Sequence, residues 1–201
     1  MSEKDVPTMT TEDRGARVFR TAVELMVRKG FGGTSIGDIA QAVGMTKAGL
    51  YHYFASKHDM LYRIMTYAMD AVEREIVEPT RSIENPEDRL REVIRRHARG
   101  LIEHGPAITV LMSETESLQD EQRAEIVRRK ESYRAYIREA LFELEKDGRL
   151  RELDIPTATM HILNTIVGIA RWFASDSSDD VDNLVEETVR FNMAAVLKSH
   201  S

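Results

Sequence analysis

Residues that could contact nucleic acid are concentrated between Thr34 and Lys57. Lysine and tyrosine side chains bond phosphate oxygens, and lysine also bonds guanine in the major groove. Small residues in the same segment would let the backbone approach another molecule closely. The candidate DNA contacts are Thr34, Ser35, Thr46, Lys47, Ala48, Gly49, Tyr51, His52, Tyr53 and Lys57. Each lysine could also be an ordinary solvated side chain, so the interpretation depends on the elements that hold these residues.

The spacing of apolar residues in this segment predicts two short helices joined by a tight turn. Apolar residues recur at helical intervals from Ile36 to Val43, and Gly44 then ends the helix because glycine enters the left-handed conformation without steric cost. Thr46 is a good N-cap for a second helix. Ser35 stands at the start of the first helix, where N-terminal amides favour a phosphate. This is the pattern of a helix-turn-helix, whose second helix enters the major groove of DNA.

From Thr11 to Leu61 the chain resembles the DNA-binding domain of the TetR family of transcriptional regulators. The resemblance rests on a leading helix ending in Lys-Gly-Phe, on Thr-Ser-Ile-x-x-Ile-Ala-x-x-x-Gly, and on Gly-Leu-Tyr-x-x-Phe-x-Ser-Lys. One position departs from the family pattern. The family usually has histidine immediately before the phenylalanine, whereas here Tyr53 holds that place and His52 lies one residue earlier.

The resemblance implies a ligand-responsive repressor that binds a palindromic operator as a homodimer. In such a repressor the last two helices pair across the dimer, and a ligand in the C-terminal bundle changes the spacing of the two DNA-binding domains. The predicted helix from Ser56 to Glu78 would connect the two parts. We expect the apolar residues Phe191, Met193, Val196 and Leu197 to contribute to the dimer interface.

Charge is distributed unevenly along the 201 residues. The net charge is −6, but residues 10–57 carry seven Lys or Arg and four Asp or Glu, which leaves −8 for residues 58–201. Electrostatic attraction to DNA acts within about 10 Å at moderate salt, so the local surplus is the relevant quantity. There is no cysteine, no signal-peptide pattern and no apolar run of membrane-spanning length, and we expect a soluble cytoplasmic protein.

Glycine, proline and cap residues divide the chain into helices, and no segment alternates as a strand would. We therefore predict an all-α protein with a helix-turn-helix domain at 1–55 and a ligand-binding and dimerisation bundle at 56–201. The predicted helices are 11–29, 36–43, 46–54, 56–78, 85–105, 107–112, 119–146, 154–174 and 181–198.

Two patterns suggest other kinds of site. Gly33 to Gly37 matches the Gly-x-Ser-x-Gly motif of serine hydrolases, but no strand precedes it and helix capping explains Ser35. His97 and His104 are seven residues apart on one helix face and could share a pocket, yet no further ligands have metal-site spacing. We expect no catalytic activity, no metal and no cofactor. A scaffold that only binds other proteins would not need a basic helix-turn-helix.

The effector pocket is predicted in the bundle between residues 86 and 174. Its candidate lining residues are Leu101, Ile108, Leu111, Met112, Ile137, Leu141, Leu163, Asn164, Val167 and Arg171. Arg171 is a cation in an otherwise apolar helix, so it is either a handle for an anionic ligand or one partner of a structural salt bridge.

The C-terminal half also resembles the TetR branch that senses acyl-coenzyme A thioesters in lipid or sterol catabolism. That resemblance rests on Asn85-Pro86-x-x-Arg89-Leu90, Glu114, Asp147-Gly148 and Arg171-Trp172-Phe173. The alternative within the family is a regulator of drug efflux that responds to a hydrophobic drug or an aromatic metabolite.

Overall fold

The computed structural model describes residues 11–172 and 181–198, and the fold is all-α. The helices are α1 (Thr11–Gly33), α2 (Ile36–Val43), α3 (Lys47–Leu50), α4 (Lys57–Val72), α5 (Glu78–Thr80), α6 (Pro86–Ser113), α7 (Asp120–Lys146), α8 (Ile155–Trp172) and α9 (Val181–Val196). A π-helical turn at Glu73–Val77 joins α4 to α5, and a 3-10 turn at Thr115–Ser117 follows α6. In the described part of the chain, strand-type pairing is limited to an isolated bridge between Leu150 and Leu197.

Local capping explains most of the helix ends. Asn85 Oδ1 accepts from the amides of Glu87 and Asp88, and Pro86 occupies the first turn of α6, as its fixed φ favours. Ser56 Oγ accepts from the Asp59 amide at 3.0 Å and caps α4. The Asp59 carboxylate accepts from Ala55 N rather than from Ser56 N, so the two side chains do not form a reciprocal capping box.

Two prolines do not end helices as predicted. The predicted stop at Pro106 was wrong, because α6 continues through it to Ser113. Pro79 was expected to end the long helix after Glu78, but the chain continues through the π-helical turn to Thr80. Pro79 has no amide to donate to the carbonyl of Glu75, and Arg96 donates to that carbonyl instead at 3.2 Å.

Helix α6 lies at the centre of the molecule. It packs against α1 and α4 on one side and against α7, α8 and α9 on the others. One continuous hydrophobic cluster runs from Val18 in α1 to Val196 in α9, so the packing does not stop at the boundary predicted between residues 55 and 56. In the described ranges, no helix combines the length and apolarity that crossing a bilayer would demand.

A pair of glycine substitutions tests the turn between α2 and α3. Gly44 has φ 69°, a conformation that costs other residues about 1–2 kcal/mol, so Gly44→Ala should lower the free energy of unfolding by about that amount. Gly100 lies inside α6 with no atom near the position of an added Cβ. Gly100→Ala should therefore stabilise the protein by about 0.5–1 kcal/mol. Urea unfolding measures both free energies of unfolding, and an unchanged value for Gly44→Ala would contradict a strained left-handed conformation at this position.

Candidate nucleic-acid interface and effector cavity

The turn between α2 and α3 is held by short-range hydrogen bonds. Ser35 Oγ accepts from Asp38 N at 3.0 Å, and the Asp38 carboxylate accepts from Ser35 N at 2.8 Å. These bonds, the backbone one first, lower the pKa of Asp38. Thr46 Oγ1 accepts from Gly49 N at 3.0 Å and begins α3. The predicted caps are confirmed, and Ser35 serves as a cap, as argued against the hydrolase motif.

The start of α3 presents a surface that is open to another molecule. Lys47, Ala48 and His52 are exposed, and Tyr51 keeps 55% of its surface accessible. Thr46 and Ser35 are also exposed, whereas Gly49 and Tyr53 are half-buried. The α-helix ends at Leu50 and a turn continues to Tyr53, so the recognition element is shorter than predicted. DNA contact by these residues stays a prediction.

Thr34 faces the interior, unlike the other candidate contacts. Its residue surface is 1% exposed, and its hydroxyl donates to the Gly30 carbonyl at 2.8 Å. The predicted DNA contact of this side chain is therefore corrected. Gly30 has φ 70° and interrupts α1, which leaves backbone groups near it without helical partners. Thr34 satisfies one of them.

The ammonium group of Lys57 also binds this end of α1. Its Nζ donates to the carbonyls of Phe31 at 2.7 Å and Thr34 at 2.8 Å, and it lies 4.1 Å from the centre of the Phe31 ring. An ammonium has three N–H donors, so one remains for a phosphate. The sequence suggested only the phosphate contact, which stays a prediction, because nothing local to Lys57 indicates carbonyls 26 and 23 residues away.

Glu114, the residue after α6, completes the same junction. Its Oε1 accepts from the Phe31 amide at 3.0 Å, and its Oε2 accepts from Ser117 Oγ at 3.0 Å. A carboxylate that accepts a backbone amide makes a strong, charge-assisted bond. The C-terminal end of α6 is thereby tied directly to the helix-turn-helix.

A small apolar cavity lies among α4, α6, α7 and α8. Its volume is about 80 Å³, against ~30 Å³ for a water molecule in the liquid. It is lined by Met69, Val72, His97, Ile108, Leu111, Met112, Lys130, Tyr133, Arg134, Met160, Leu163, Asn164 and Val167. Leu101, Ile137 and Leu141, predicted to line the pocket, are instead core residues at 3%, 1% and 0% exposure. Arg171 lies outside the residues whose side chains the structure describes.

His97 and Tyr133 form a buried polar pair at this cavity. The Tyr133 hydroxyl lies 3.0 Å from His97 Nδ1, and the two rings meet edge to face with centroids 5.4 Å apart. Burial lowers the pKa of His97 to about 4, because a charged imidazolium would lose its hydration. At neutral pH the ring is therefore uncharged. Burial also raises the pKa of Tyr133, so its hydroxyl keeps its proton.

A larger groove adjoins the cavity on the side of α7. It has a volume of about 920 Å³ and shares Met69, Val72 and Tyr133 with the cavity lining. The remaining groove residues are Glu73, Val77, Arg81, Arg129, Ser132, Ala135, Tyr136, Arg138, Glu139, Phe142, Glu143 and Lys146. Together the two linings hold six cations and three carboxylates. This local cation surplus contrasts with the net charge of −8 over residues 58–201.

Two cations at the cavity were not among the sequence candidates. Lys130 Nζ donates to the Leu111 carbonyl and to Thr115 Oγ1, both at 2.9 Å, and burial, with Arg134 nearby, lowers its pKa. Lys130, Arg134 and Arg138 are spaced four residues apart on one stripe of α7. That spacing could have indicated the cations at the cavity from the sequence. However, α7 is rich in charged residues throughout, and such a stripe is typical of a solvated helix face.

His97 and His104 do not share a pocket. His104 borders a separate cavity between α1, α4 and α6, where its Nδ1 lies 3.2 Å from the Tyr67 hydroxyl and its Nε2 lies 2.9 Å from a Glu75 carboxylate oxygen. Glu103 is close enough to complete a three-residue group with metal-ligand chemistry. Both ring nitrogens of His104 already have hydrogen-bond partners in the protein, so the position of this side chain needs no metal ion to explain it.

Comparison with known proteins matches both halves of the chain to one family. Residues 18–64 match the model of bacterial regulatory proteins of the tetR family. Residues 84–196 match the model of the tetracyclin repressor-like C-terminal domain. The two matches cover the helix-turn-helix and the bundle that holds the cavity.

Individual relatives agree with the family models. The HTH-type transcriptional repressor KstR2 of Mycobacterium tuberculosis is 25% identical over 166 residues, which is 80% of this chain and 81% of that protein. AibR, solved in complex with isovaleryl coenzyme A and operator DNA, is 31% identical with a TM-score of 0.78, covering 89% of this chain and 97% of that chain. PfmR from Thermus thermophilus is 28% identical, with the same TM-score and coverage.

Two lysine substitutions should separate a DNA contact from a structural contact. Lys47→Ala should weaken binding to DNA from upstream of the protein's own gene by about 1–3 kcal/mol if Lys47 contacts a base, with no change in Tm. Lys57→Met should lower Tm by roughly 6 °C or more as well as weaken binding, because it removes two charge-assisted bonds worth about 1.5–3 kcal/mol each. Gel shifts and thermal melts measure both effects, and unchanged DNA affinity in both variants would contradict the interface.

Proposed function

The chain belongs to the TetR family of transcriptional regulators, and we propose that it is a homodimeric repressor released from a palindromic operator by a short-chain acyl-coenzyme A thioester. Residues 1–55 would bind the operator, and residues 56–201 would bind the ligand and form the dimer. The observation that carries the proposal is the small apolar cavity beside a large groove with surplus cations. An acyl-coenzyme A has the same division, with a short apolar group on one side of its sulfur and a bulky phosphorylated carrier on the other.

The acyl group fits the cavity by size and polarity. A space of about 80 Å³ has room for an acyl group of a few carbons, and its apolar walls come mostly from methionine, leucine, isoleucine and valine. Each buried methylene contributes about 0.8 kcal/mol. Met112 and Met160 are 49% and 42% exposed, and their flexible side chains could adapt to a branched chain. A long chain or a steroid would need the walls to move.

The carrier fits the adjoining groove. Phosphate groups need cations, and the linings of the groove and the cavity hold six against three carboxylates. Four of the six are arginines that are ion-paired with carboxylates in the free protein, so a phosphate would replace those partners. Arg134 lines the cavity, and its guanidinium bonds Glu131 on the same helix at 3.2 Å. The likeness to AibR, whose structure holds isovaleryl coenzyme A, supports the same ligand class. A hydrophobic drug, the alternative ligand, would occupy the cavity and leave the cationic groove unused.

Two helices would transmit ligand binding to the DNA-binding domain. Met69 and Val72 of α4 line the cavity, and α4 begins beside the Lys57 contacts to α1. Ile108 and Leu111 of α6 also line the cavity, and α6 ends at Glu114, which binds the Phe31 amide. A ligand that moves either helix moves α1. Release of DNA then requires that the ligand bind the released conformation more tightly than the DNA-bound one.

The dimer would form on α8 and α9. Phe191 is 66% exposed, and Met160 and Val181 are also exposed, which leaves apolar surface on these two helices. Two residues predicted for the interface lie inside the subunit instead, because Met193 and Val196 are each 3% exposed. Charges at Val196 would therefore disrupt the fold rather than only the dimer.

Isovaleryl-coenzyme A should bind the protein and release it from DNA, while coenzyme A without an acyl group should do neither at the same concentration. Arg134→Ala should weaken thioester binding about fivefold, which is about 1 kcal/mol for an exposed charge-assisted bond. Arg128→Ala, an exposed position on the same helix outside both linings, is the control. Calorimetric titration measures the affinities, and a wild-type protein indifferent to short and long acyl thioesters would refute the ligand class.

The dimer interface is tested by Phe191→Glu. A charge at this exposed position should produce folded monomers that bind operator DNA poorly, because burying an unpaired carboxylate at an interface is unfavourable. Val127→Glu introduces the same charge at an exposed valine on α7 and should leave the dimer intact. Sedimentation velocity measures the assembly, and a stable wild-type monomer would contradict the proposed dimer.

A further inference from the structure

We propose that His97 recognises the carbonyl of the effector, by donating a hydrogen bond from Nε2–H to the thioester oxygen. The inference rests on the proposed function, because it assigns a role to one residue of the same cavity. It goes further by naming the chemical group that the cavity selects. The expected ligands are then compounds whose neutral carbonyl oxygen can accept a hydrogen bond, rather than apolar molecules in general.

The His97–Tyr133 pair lies where the thioester group of the ligand would be. In an acyl-coenzyme A the thioester is the point where the acyl group meets the carrier. Tyr133 is one of three residues that line both the small cavity and the large groove. His97 lines the cavity and is held by the Tyr133 hydroxyl at 3.0 Å. A thioester with its acyl group in the cavity and its carrier in the groove would lie beside Tyr133, which borders both spaces, and beside its partner His97.

The hydrogen-bond inventory leaves one donor for the ligand. Among the residues that the structure describes, neither the Tyr133 hydroxyl nor His97 Nε2 has a second partner. If His97 donated to Tyr133, both the phenolic proton and Nε2 would lack partners. If Tyr133 donates to Nδ1, only Nε2–H lacks one. Buried polar groups are normally satisfied, so the tautomer with its proton on Nε2 is favoured because it leaves fewer groups without a partner. The group that it leaves free is a donor.

The charge state matches a carbonyl rather than an anion. His97 is 6% exposed, and burial lowers its pKa to about 4, so the ring is neutral at pH 7. A neutral N–H pairs well with the neutral oxygen of a thioester, whereas a carboxylate would gain more from a charged group. The donor without a partner also explains selectivity. A ligand without an acceptor would remove water from Nε2–H and give it no partner in return. The penalty for that desolvation exceeds the net free energy of an ordinary hydrogen bond.

The test compares isovaleryl-coenzyme A with S-(3-methylbutyl)-coenzyme A, a thioether in which a methylene replaces the carbonyl. The wild-type protein should bind the thioester about tenfold more tightly than the thioether. In His97→Leu/Tyr133→Phe, which removes both partners and leaves no orphaned hydroxyl, the two ligands should bind within about twofold of each other. Gly100→Ala, on the same helix and outside the cavity lining, should keep the wild-type ratio.

The outcomes separate this inference from the proposed function. If both ligands bind the wild-type protein equally, or if the double variant keeps the tenfold ratio, the role of His97 is overturned while acyl-coenzyme A binding stands. If neither ligand binds the wild-type protein, the proposed function itself fails. Nitrogen-edited proton NMR of the histidine rings gives a second measurement, which uses the wild-type protein alone and so does not depend on whether the double variant folds. The Nε2–H proton of His97 should shift downfield with the thioester and not with the thioether, and the absence of that difference would overturn the assignment.

Discussion

The end of α1 imposes the constraint on which the arrangement of the molecule depends. Gly30 interrupts the helix with φ 70°, and the backbone groups beyond it must find partners because this region packs against the core. Lys57 donates to two of the carbonyls, and Glu114 accepts from the Phe31 amide. Residues from the start of α4 and the end of α6 therefore meet at one turn. These bonds and the continuous hydrophobic cluster together fix the orientation of the helix-turn-helix relative to the bundle.

Helix α6 connects that turn to the cavity, and its neighbours hold it from several sides. Arg95 bonds Glu186 of α9 through two nitrogens at 2.6 and 3.0 Å, and these bonds raise the pKa of Arg95. Arg89 bonds Glu143 of α7 at 2.5 Å. Partly exposed pairs of this kind contribute about 1 kcal/mol each, so their main effect is to fix the register of α6 rather than to stabilise the fold. A helix in fixed register can carry a displacement from His97 to Glu114.

The sequence predicted the helix-turn-helix well because its determinants are local. Ser35, Gly44, Thr46 and Asn85 make their bonds to residues at most five positions away, so spacing alone indicates them. The all-α class also followed from apolar periodicity, and Met112, Asn164 and Val167, three of the expected pocket residues, do line a cavity. Proline was a weaker guide. Neither Pro79 nor Pro106 ended a helix, and at Pro79 a donor supplied by Arg96 replaces the lost backbone bond.

Tertiary structure decided which polar groups are available. Thr34 and Lys57 both suit phosphate binding by residue type. Thr34 is buried with its hydroxyl bonded to the Gly30 carbonyl, and two donors of Lys57 are taken by the carbonyls of Phe31 and Thr34. Met193 and Val196 are as apolar as Phe191, yet only the last remains exposed. The pairing of His97 with Tyr133 joins residues 36 positions apart. The sequence determines what each side chain can bond and where helices begin, whereas the partner of each side chain depends on which surfaces the folded chain brings within hydrogen-bond distance.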